Sequence, residues 1–202
     1  MTRYCMILSS ILPLMVLLMT AVPSHAVSIT FVASLSGPNE SPVNASPGTG
    51  FATMVFDTTA HTLSIDAVFS GLIGNTTASH IHCCTATPGV LTAGVATQTP
   101  TFSGFPSGVT SGIYSHIFDT TLTSTFNASF VTANGGTAAS AEAALLAGAL
   151  AGRSYLNIHT NIFTGGEIRG FLTEVPEPST WLLLATGTLG LLGYGWRTRR
   201  SM

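Results

Sequence analysis

Alternation of apolar and polar residues in the segment TLSIDAVFS, residues 62–70, is the feature that most restricts the fold. Its apolar residues fall on one face of an extended chain: Leu63, Ile65, Ala67 and Phe69. The polar residues at positions 62, 64 and 66 fall on the other face. A period of two is typical of a strand with one buried face, so we expect an antiparallel sheet.

Other short segments have strand character and are separated by turns. They are VSITFVASLSG (27–37), GFATMVFD (50–57), ASHIHCC (78–84), IYSHIFD (113–119) and TSTFNASFV (123–131). RSYLNIHT (153–160) and EIRGFL (167–172) then form a predicted hairpin, with Ile158 and Ile168 as expected core residues. Many short strands joined by turns predict a mainly β fold, either a β-sandwich or a Greek-key barrel.

One segment breaks the strand pattern and predicts a single short helix. TAASAEAALLAGALAG, residues 137–152, is rich in alanine and leucine and has no β-branched residue after Thr137. We expect the helix at about 139–150, with Ser140 as its N-cap and Gly152 at its end.

The N-terminus, residues 1–26, has the three-part layout of a secretory signal peptide. Arg3 supplies positive charge, and an apolar run extends from about Ile7 to Val22. Small residues, Ser24 and Ala26, precede the predicted cleavage after Ala26. We therefore expect signal peptidase to process an exported chain, and an uncleaved N-terminal anchor helix is the alternative.

The C-terminus carries a second apolar run. Trp181 to Trp196 contains no charged residue, and as a helix it would be about 24 Å long, slightly short of a ~30 Å hydrocarbon core. Three arginines follow, at positions 197, 199 and 200. The sequence predicts a transmembrane helix at about 181–196, with the arginines in the cytoplasm and the body of the chain outside.

The charge of the body argues against one class of partner. Residues 27–175 contain two arginines and seven acidic residues, and the whole chain has no lysine. A surface of this kind does not attract phosphate groups, so we expect no nucleic-acid binding. The length of the body is that of one domain.

The segment SHIHCCT, residues 79–85, raises the question of a metal site. In a strand, His80 and His82 project from the same face about 6.5 Å apart, and Ile81 faces the core. NIH, residues 157–159, offers His159 as a third ligand. Three imidazole groups would suit copper or zinc.

The alternative is a structural polar cluster. Strand histidines can bond to carboxylate or backbone groups without any metal, and Glu167 and Arg169 would form an ion pair nearby. For the metal site, His116 or Cys83 is a candidate fourth ligand. Both interpretations stay open on the sequence alone.

Cys83 and Cys84 are the cysteines that remain after signal cleavage. In an oxidising compartment they can form a vicinal disulfide, stay as free thiols, or link two chains, and we favour the vicinal disulfide. As thiolates they would be soft copper ligands. The sequence contains no nucleophile elbow, phosphate-binding loop or paired carboxylates, so we expect no enzyme.

Pro176, Glu177 and Pro178, followed by the apolar run and the arginines, resemble the PEP-CTERM sorting signal of Gram-negative bacteria. The resemblance implies cleavage near this motif by an exosortase, a membrane protease-transferase. It also implies an association with exopolysaccharide and biofilm. A plain C-terminal anchor is the alternative.

Three stretches of the body resemble the CHRD domain, a module first described in chordin. They are FVASLSGPNESPVNASPGTGFATMVFD (31–57), SHIH (79–82) and YLNIHTNIFTGGEIRGFL (155–172). The resemblance implies an immunoglobulin-like or superoxide-dismutase-like β-barrel. Copper–zinc superoxide dismutases bind metal with an HxH strand, but this chain lacks their additional zinc ligands, so we expect no dismutation.

Three regions result: a signal peptide (1–26), a CHRD-like β domain (27–174) and a sorting segment (175–202). We expect an exported, exosortase-processed protein of the cell surface or exopolysaccharide matrix, transiently held in the inner membrane, with a structural or binding role. Its expected partners are signal peptidase, exosortase, and exopolysaccharide or surface proteins. A copper- or zinc-binding extracytoplasmic protein with His80, His82 and His159 as ligands is the alternative.

Overall fold

A computed structural model describes residues 28–176 and 178–199. The predicted signal peptide, its cleavage site after Ala26, and Glu177 of the sorting motif lie outside the described residues.

Eight strands and three helices make up the described chain. The strands are β1 (Ser28–Ser36), β2 (Thr49–Asp57), β3 (Thr62–Ser70), β4 (Thr76–His82), β5 (Gly112–Asp119), β6 (Tyr155–Thr160), β7 (Ile168–Phe171) and β8 (Thr173–Glu174). The helices are α1 (Ala128–Ala133), α2 (Ala138–Leu150) and α3 (Pro178–Arg199).

All the strands belong to one antiparallel sheet in the order β4-β6-β7-β1-β2-β3-β5, and β8 pairs with β1. The sheet curls into a half-barrel. The mainly β class is confirmed, but the described strands form one continuous sheet and not two separate facing sheets.

The inner face of the sheet holds the apolar core. The four residues that alternation assigned to one face of β3 are all buried, and so are Ile158 and Ile168. Phe31 and Phe56 of β1 and β2 meet edge to face with ring centroids 5.7 Å apart. The period of two therefore identified the buried face correctly.

The helices agree with the sequence only in part. The predicted helix is present as α2, but its N-cap is Thr137 and not Ser140. The Thr137 hydroxyl accepts from the Ser140 N–H at 3.1 Å, and the Ser140 hydroxyl accepts from the Thr137 N–H at 3.2 Å. This reciprocal capping box satisfies two otherwise unpaired N–H groups at the start of the helix.

The segment 123–131, predicted as a strand, is not one. It forms a 3₁₀ turn at Thr123–Thr125 and then α1. Asn127 Oδ1 accepts from the Ser129 N–H at 2.8 Å, so a local side-chain cap starts a helix where the residue composition favoured a strand.

Helix α3 covers the stretch 181–196 that the sequence assigns to the membrane. Across the residues that the structure describes, no helix combines the length and the apolar character needed to cross a membrane.

Candidate metal centre

Two neighbouring strands carry the three predicted histidines. Strands β4 and β6 are antiparallel partners, with His80 directly opposite Asn157. His82 follows His80 by two positions, and His159 follows Asn157 by two. Because side chains alternate along a strand, all three imidazole groups project from one face, while the fully buried Ile81 projects into the core.

A long loop, residues 83–111, lies along β4 and against these rings. It pairs with the free edge of the strand: the Ala96 N–H donates to Ile81 O at 2.9 Å, and the Phe102 N–H donates to Ser79 O at 3.1 Å. As a result, His80 and His82 are only 7% and 8% exposed. The outer face of the sheet is therefore buried here, although the alternation pattern alone would leave it open to solvent.

The three imidazole groups converge. Their ring centroids are 5.8 Å apart for His80 and His82, 5.2 Å for His80 and His159, and 5.6 Å for His82 and His159. One nitrogen from each ring lies within 4.8 Å of the other two. A common point therefore exists no more than 4.8/√3, about 2.8 Å, from each nitrogen. Metal–imidazole bonds are about 2.0–2.1 Å, so small side-chain movements would complete such bonds.

Backbone carbonyls fix the orientation of each ring. His80 Nε2 lies 2.6 Å from Pro100 O, His82 Nδ1 lies 3.0 Å from Ala93 O, and His159 Nδ1 lies 3.0 Å from Thr164 O. A carbonyl oxygen can only accept, so each of these ring nitrogens carries the proton and donates it. The other nitrogen of each neutral ring then has a free lone pair.

Those free nitrogens are buried and unpartnered. His80 Nδ1, His82 Nε2 and His159 Nε2 have no hydrogen-bond partner among the described residues. A buried acceptor without a donor costs free energy, and such groups are rare in native structures unless water or an ion serves them. Three such nitrogens in one cluster could serve as ligands to one cation.

The surroundings keep the rings neutral. Burial lowers the pKa of His80 and of His159, although a hydrogen bond to a carbonyl opposes the change in each case. Burial also lowers the pKa of His82 to about 4, against the raising effect of its hydrogen bond to Ala93 and with smaller lowering effects from the other two histidines and Arg169. The neutral imidazole is the form that binds metal.

A layer of aromatic and cationic groups supports His82. The Tyr155 ring stacks on it with centroids 4.8 Å apart and planes 4° from parallel. The Arg169 guanidinium also lies over the Tyr155 ring, 4.7 Å from its centroid. The Tyr155 hydroxyl also donates to Ala93 O at 3.4 Å, the carbonyl that holds His82. The sequence alone did not identify Tyr155. Its position two residues before Asn157, which places both side chains on one face of β6, is the one pattern that could have indicated it.

Arg169 does not form the ion pair expected with Glu167. Its charged partner is Glu40, with Arg169 Nε 3.8 Å from Glu40 Oε2. The Glu167 carboxylate instead accepts from the hydroxyls of Ser46 and Thr160 and from the N–H groups of residues 73 and 74. Glu167 stands just before β7, so its side chain does not share the strand face that carries Arg169.

Glu40 and Asn157 hold two further unpartnered oxygens. Asn157 Oδ1 and Glu40 Oε1 are both buried without a donor. Both oxygens lie against Gly166, where an added Cβ would come within 2.5 Å of the first and 2.6 Å of the second. Burial raises the pKa of Glu40 to about 7, against the lowering effects of Arg169 and a backbone hydrogen bond.

The proposed fourth ligands do not join the cluster. No further histidine, cysteine or acidic residue of the described chain belongs to the group of three. His116 lies on β5, at the opposite edge of the sheet. The Cys83 and Cys84 sulfurs are joined in a vicinal disulfide, and a Cβ added at Gly148 of α2 would collide with both of them.

The three histidines lie outside the surface groove over β1 and β7. A cavity of about 800 Å³ opens over β1 and β7, and Glu40, Leu91 and Arg169 line it. None of the three histidines lines this cavity.

Two family models match the chain. One describes the CHRD domain and matches residues 31–172, and the other describes the PEP-CTERM protein-sorting motif and matches residues 174–200. Neither model describes an enzyme family. No curated protein and no solved structure matches the chain. The first match contains the three histidines and every group described around them.

Proposed function

The chain belongs to the CHRD-domain family, and we propose that it is a surface protein. We propose also that its CHRD domain binds copper or zinc through His80, His82 and His159. The domain binds the ion and performs no reaction with it.

The sorting motif supports the cellular setting. A PEP-CTERM motif indicates an exported protein that passes through the membrane and is processed by an exosortase for the surface. We propose that the mature protein resides in the exopolysaccharide or biofilm matrix, with polysaccharide or surface proteins as neighbours. The scarcity of charge on the body, which has two arginines and no lysine, is compatible with a polar, uncharged matrix.

One observation carries the metal proposal: each ring of the cluster has one nitrogen bound to a carbonyl and the other buried and free. Backbone acceptors of this kind commonly orient metal-binding histidines. One nitrogen from each ring lies within 4.8 Å of the other two, and a cation bound among the free nitrogens would satisfy all three lone pairs.

A purely structural polar cluster would have a different pattern. Buried polar groups that serve stability are hydrogen-bonded on all sides, because an unmet buried acceptor costs about 1–3 kcal/mol. In this cluster one nitrogen of each ring contacts a backbone carbonyl, and the other is buried without a partner among the described residues. The pattern favours a ligand set over a structural network.

The first experiment measures metal content and affinity. Protein purified from the cell surface is analysed for copper and zinc, and the stripped protein is then titrated with each ion. We expect one ion per chain. His82→Gln should abolish tight binding, and His116→Gln, the same substitution outside the cluster, should leave it unchanged. If the stripped protein takes up neither ion at neutral pH, the metal proposal is wrong.

A second experiment tests the sorting proposal independently. Intact-mass measurement of the mature protein should give a chain that ends near Pro176–Pro178. A chain that retains residues 181–202 would indicate a plain anchor and would contradict exosortase processing.

A further inference from the structure

Resting on the proposed metal site, we propose further that the three-histidine cluster selects a monovalent ion, Cu(I), over divalent ions such as Zn²⁺. The selectivity follows from the number of ligands, their charge and the charges around them.

The number of ligands is the first reason. The described residues supply three converging nitrogens and no fourth histidine, cysteine or carboxylate. Zn²⁺ that is held by three protein ligands takes a water molecule as its fourth ligand, and Cu(II) prefers tetragonal sites. Cu(I), a soft ion with a filled d shell, is stable with three nitrogen ligands in one plane. Three nitrogens therefore complete the coordination of Cu(I), whereas Zn²⁺ needs one more ligand that the described residues do not supply.

Charge is the second reason. All three ligands are neutral imidazoles whose free nitrogens are buried, so a bound ion keeps its full charge away from water. The cost of burying an ion rises with the square of its charge, so a divalent ion costs roughly four times as much as a monovalent one. The layer over His82 adds a cation: Arg169 lies over the Tyr155 ring that stacks on His82.

No nearby anion offsets the higher free-energy cost of a divalent ion at this site. Glu40 is the carboxyl group beside Arg169, and its Oε2 lies 3.8 Å from Arg169 Nε, so its negative charge is paired with the guanidinium. The sulfurs of Cys83 and Cys84 are bonded to each other and supply no thiolate. The ion would thus be surrounded by neutral donors, with a positive guanidinium near one of them.

The test compares the two ions on the same purified protein. Cu(I) affinity is measured without oxygen, with ascorbate as reductant and bicinchoninate as the competing chelator, and Zn²⁺ affinity is measured against a zinc-sensitive dye. We expect Cu(I) to bind at least about 100-fold more tightly than Zn²⁺. Equal or tighter Zn²⁺ binding overturns the selectivity but leaves the proposed function intact. Binding of neither ion overturns the proposed function itself.

An isosteric variant tests the charge argument directly. Asn157→Asp adds a carboxylate on the strand position opposite His80, which should stabilise a divalent ion more than a monovalent one. We expect the ratio of Cu(I) to Zn²⁺ affinity to fall at least about 10-fold. Asn157→Leu, similar in size and uncharged, should keep the ratio of the wild type. An unchanged ratio in the aspartate variant would overturn the charge argument.

Discussion

Replacement of one ligand histidine should make the metal-free protein more stable and the metal-loaded protein less stable. In His82→Leu the unpartnered Nε2 disappears, which relieves about 1–3 kcal/mol. The hydrogen bond from Nδ1 to Ala93 O is also lost, at about 0.5–1.5 kcal/mol, but that carbonyl keeps the Tyr155 hydroxyl as a donor. The net change is about 1 kcal/mol in favour of the variant, or about 2–4 °C in Tm for a domain of this size.

Metal binding should reverse the order of stability of the wild type and His82→Leu. At a free ion concentration of about 100 times Kd, binding adds roughly 2.7 kcal/mol to the wild type and nothing to the variant. The assay is thermal unfolding of both proteins, once with a strong chelator and once with the ion. His116→Leu is the control that should keep the full response to metal. The reasoning is refuted if His82→Leu is less stable than the wild type in chelator, or if both proteins gain equally from the ion.

Three more predictions concern groups around the centre. Glu167→Gln should cost about 3 kcal/mol, because an amide cannot accept all four hydrogen bonds that the carboxylate receives, and urea unfolding checks this. Burial acts to raise the pKa of Glu167, but these four bonds together lower it. The stability that Glu167 contributes should therefore be present above about pH 4.5 and be lost as the pH falls further. A glutamine variant that loses stability in acid in the same way as the wild type would contradict this. The pKa of Glu40 is raised to about 7, so the wild type should lose stability relative to Glu40→Gln as the pH rises from about 4.5 to 7. Parallel pH profiles of the two proteins would argue against this. Gly148→Ala should destabilise the protein, because its Cβ would collide with the Cys83 and Cys84 sulfurs, and a Tm equal to that of the wild type would exclude the close packing of α2 on the disulfide.

The strands and the core were predictable from local pattern. Alternation assigned Leu63 and Phe69 to the buried face, and the closing hairpin did the same for Ile158 and Ile168. The pattern failed at residues 123–131, because Asn127 caps a helix within a segment whose other residues favour a strand. A single side-chain hydrogen bond of this kind has no periodic signal in the sequence.

The site was predictable only at the level of single strands. The spacing of His80 and His82, and of Asn157 and His159, places each pair on one face of its strand. That the two faces coincide depends on the pairing of β4 with β6, which are more than seventy residues apart in the chain. The carbonyls that orient the rings belong to the loop 83–111 and to Thr164, and backbone acceptors leave no trace in residue type.

The expected ion pair between Glu167 and Arg169 was wrong for a related reason. The spacing of two residues between Glu167 and Arg169 suggested a shared strand face. However, β7 begins only at Ile168, so Glu167 lies before the strand. Two amide groups from a distant turn, at residues 73 and 74, bind the Glu167 carboxylate, and Glu40 from another loop approaches Arg169. These partners come from loops whose path the sequence does not indicate.

The most direct test of the metal centre is a crystal structure of the copper-loaded protein, with anomalous diffraction recorded at the copper absorption edge. We predict one anomalous peak between β4 and β6, within about 2.0–2.1 Å of His80 Nδ1, His82 Nε2 and His159 Nε2. A copper-loaded crystal with no peak at this position, or with copper bound through the nitrogens that now contact Pro100, Ala93 and Thr164, would contradict the account.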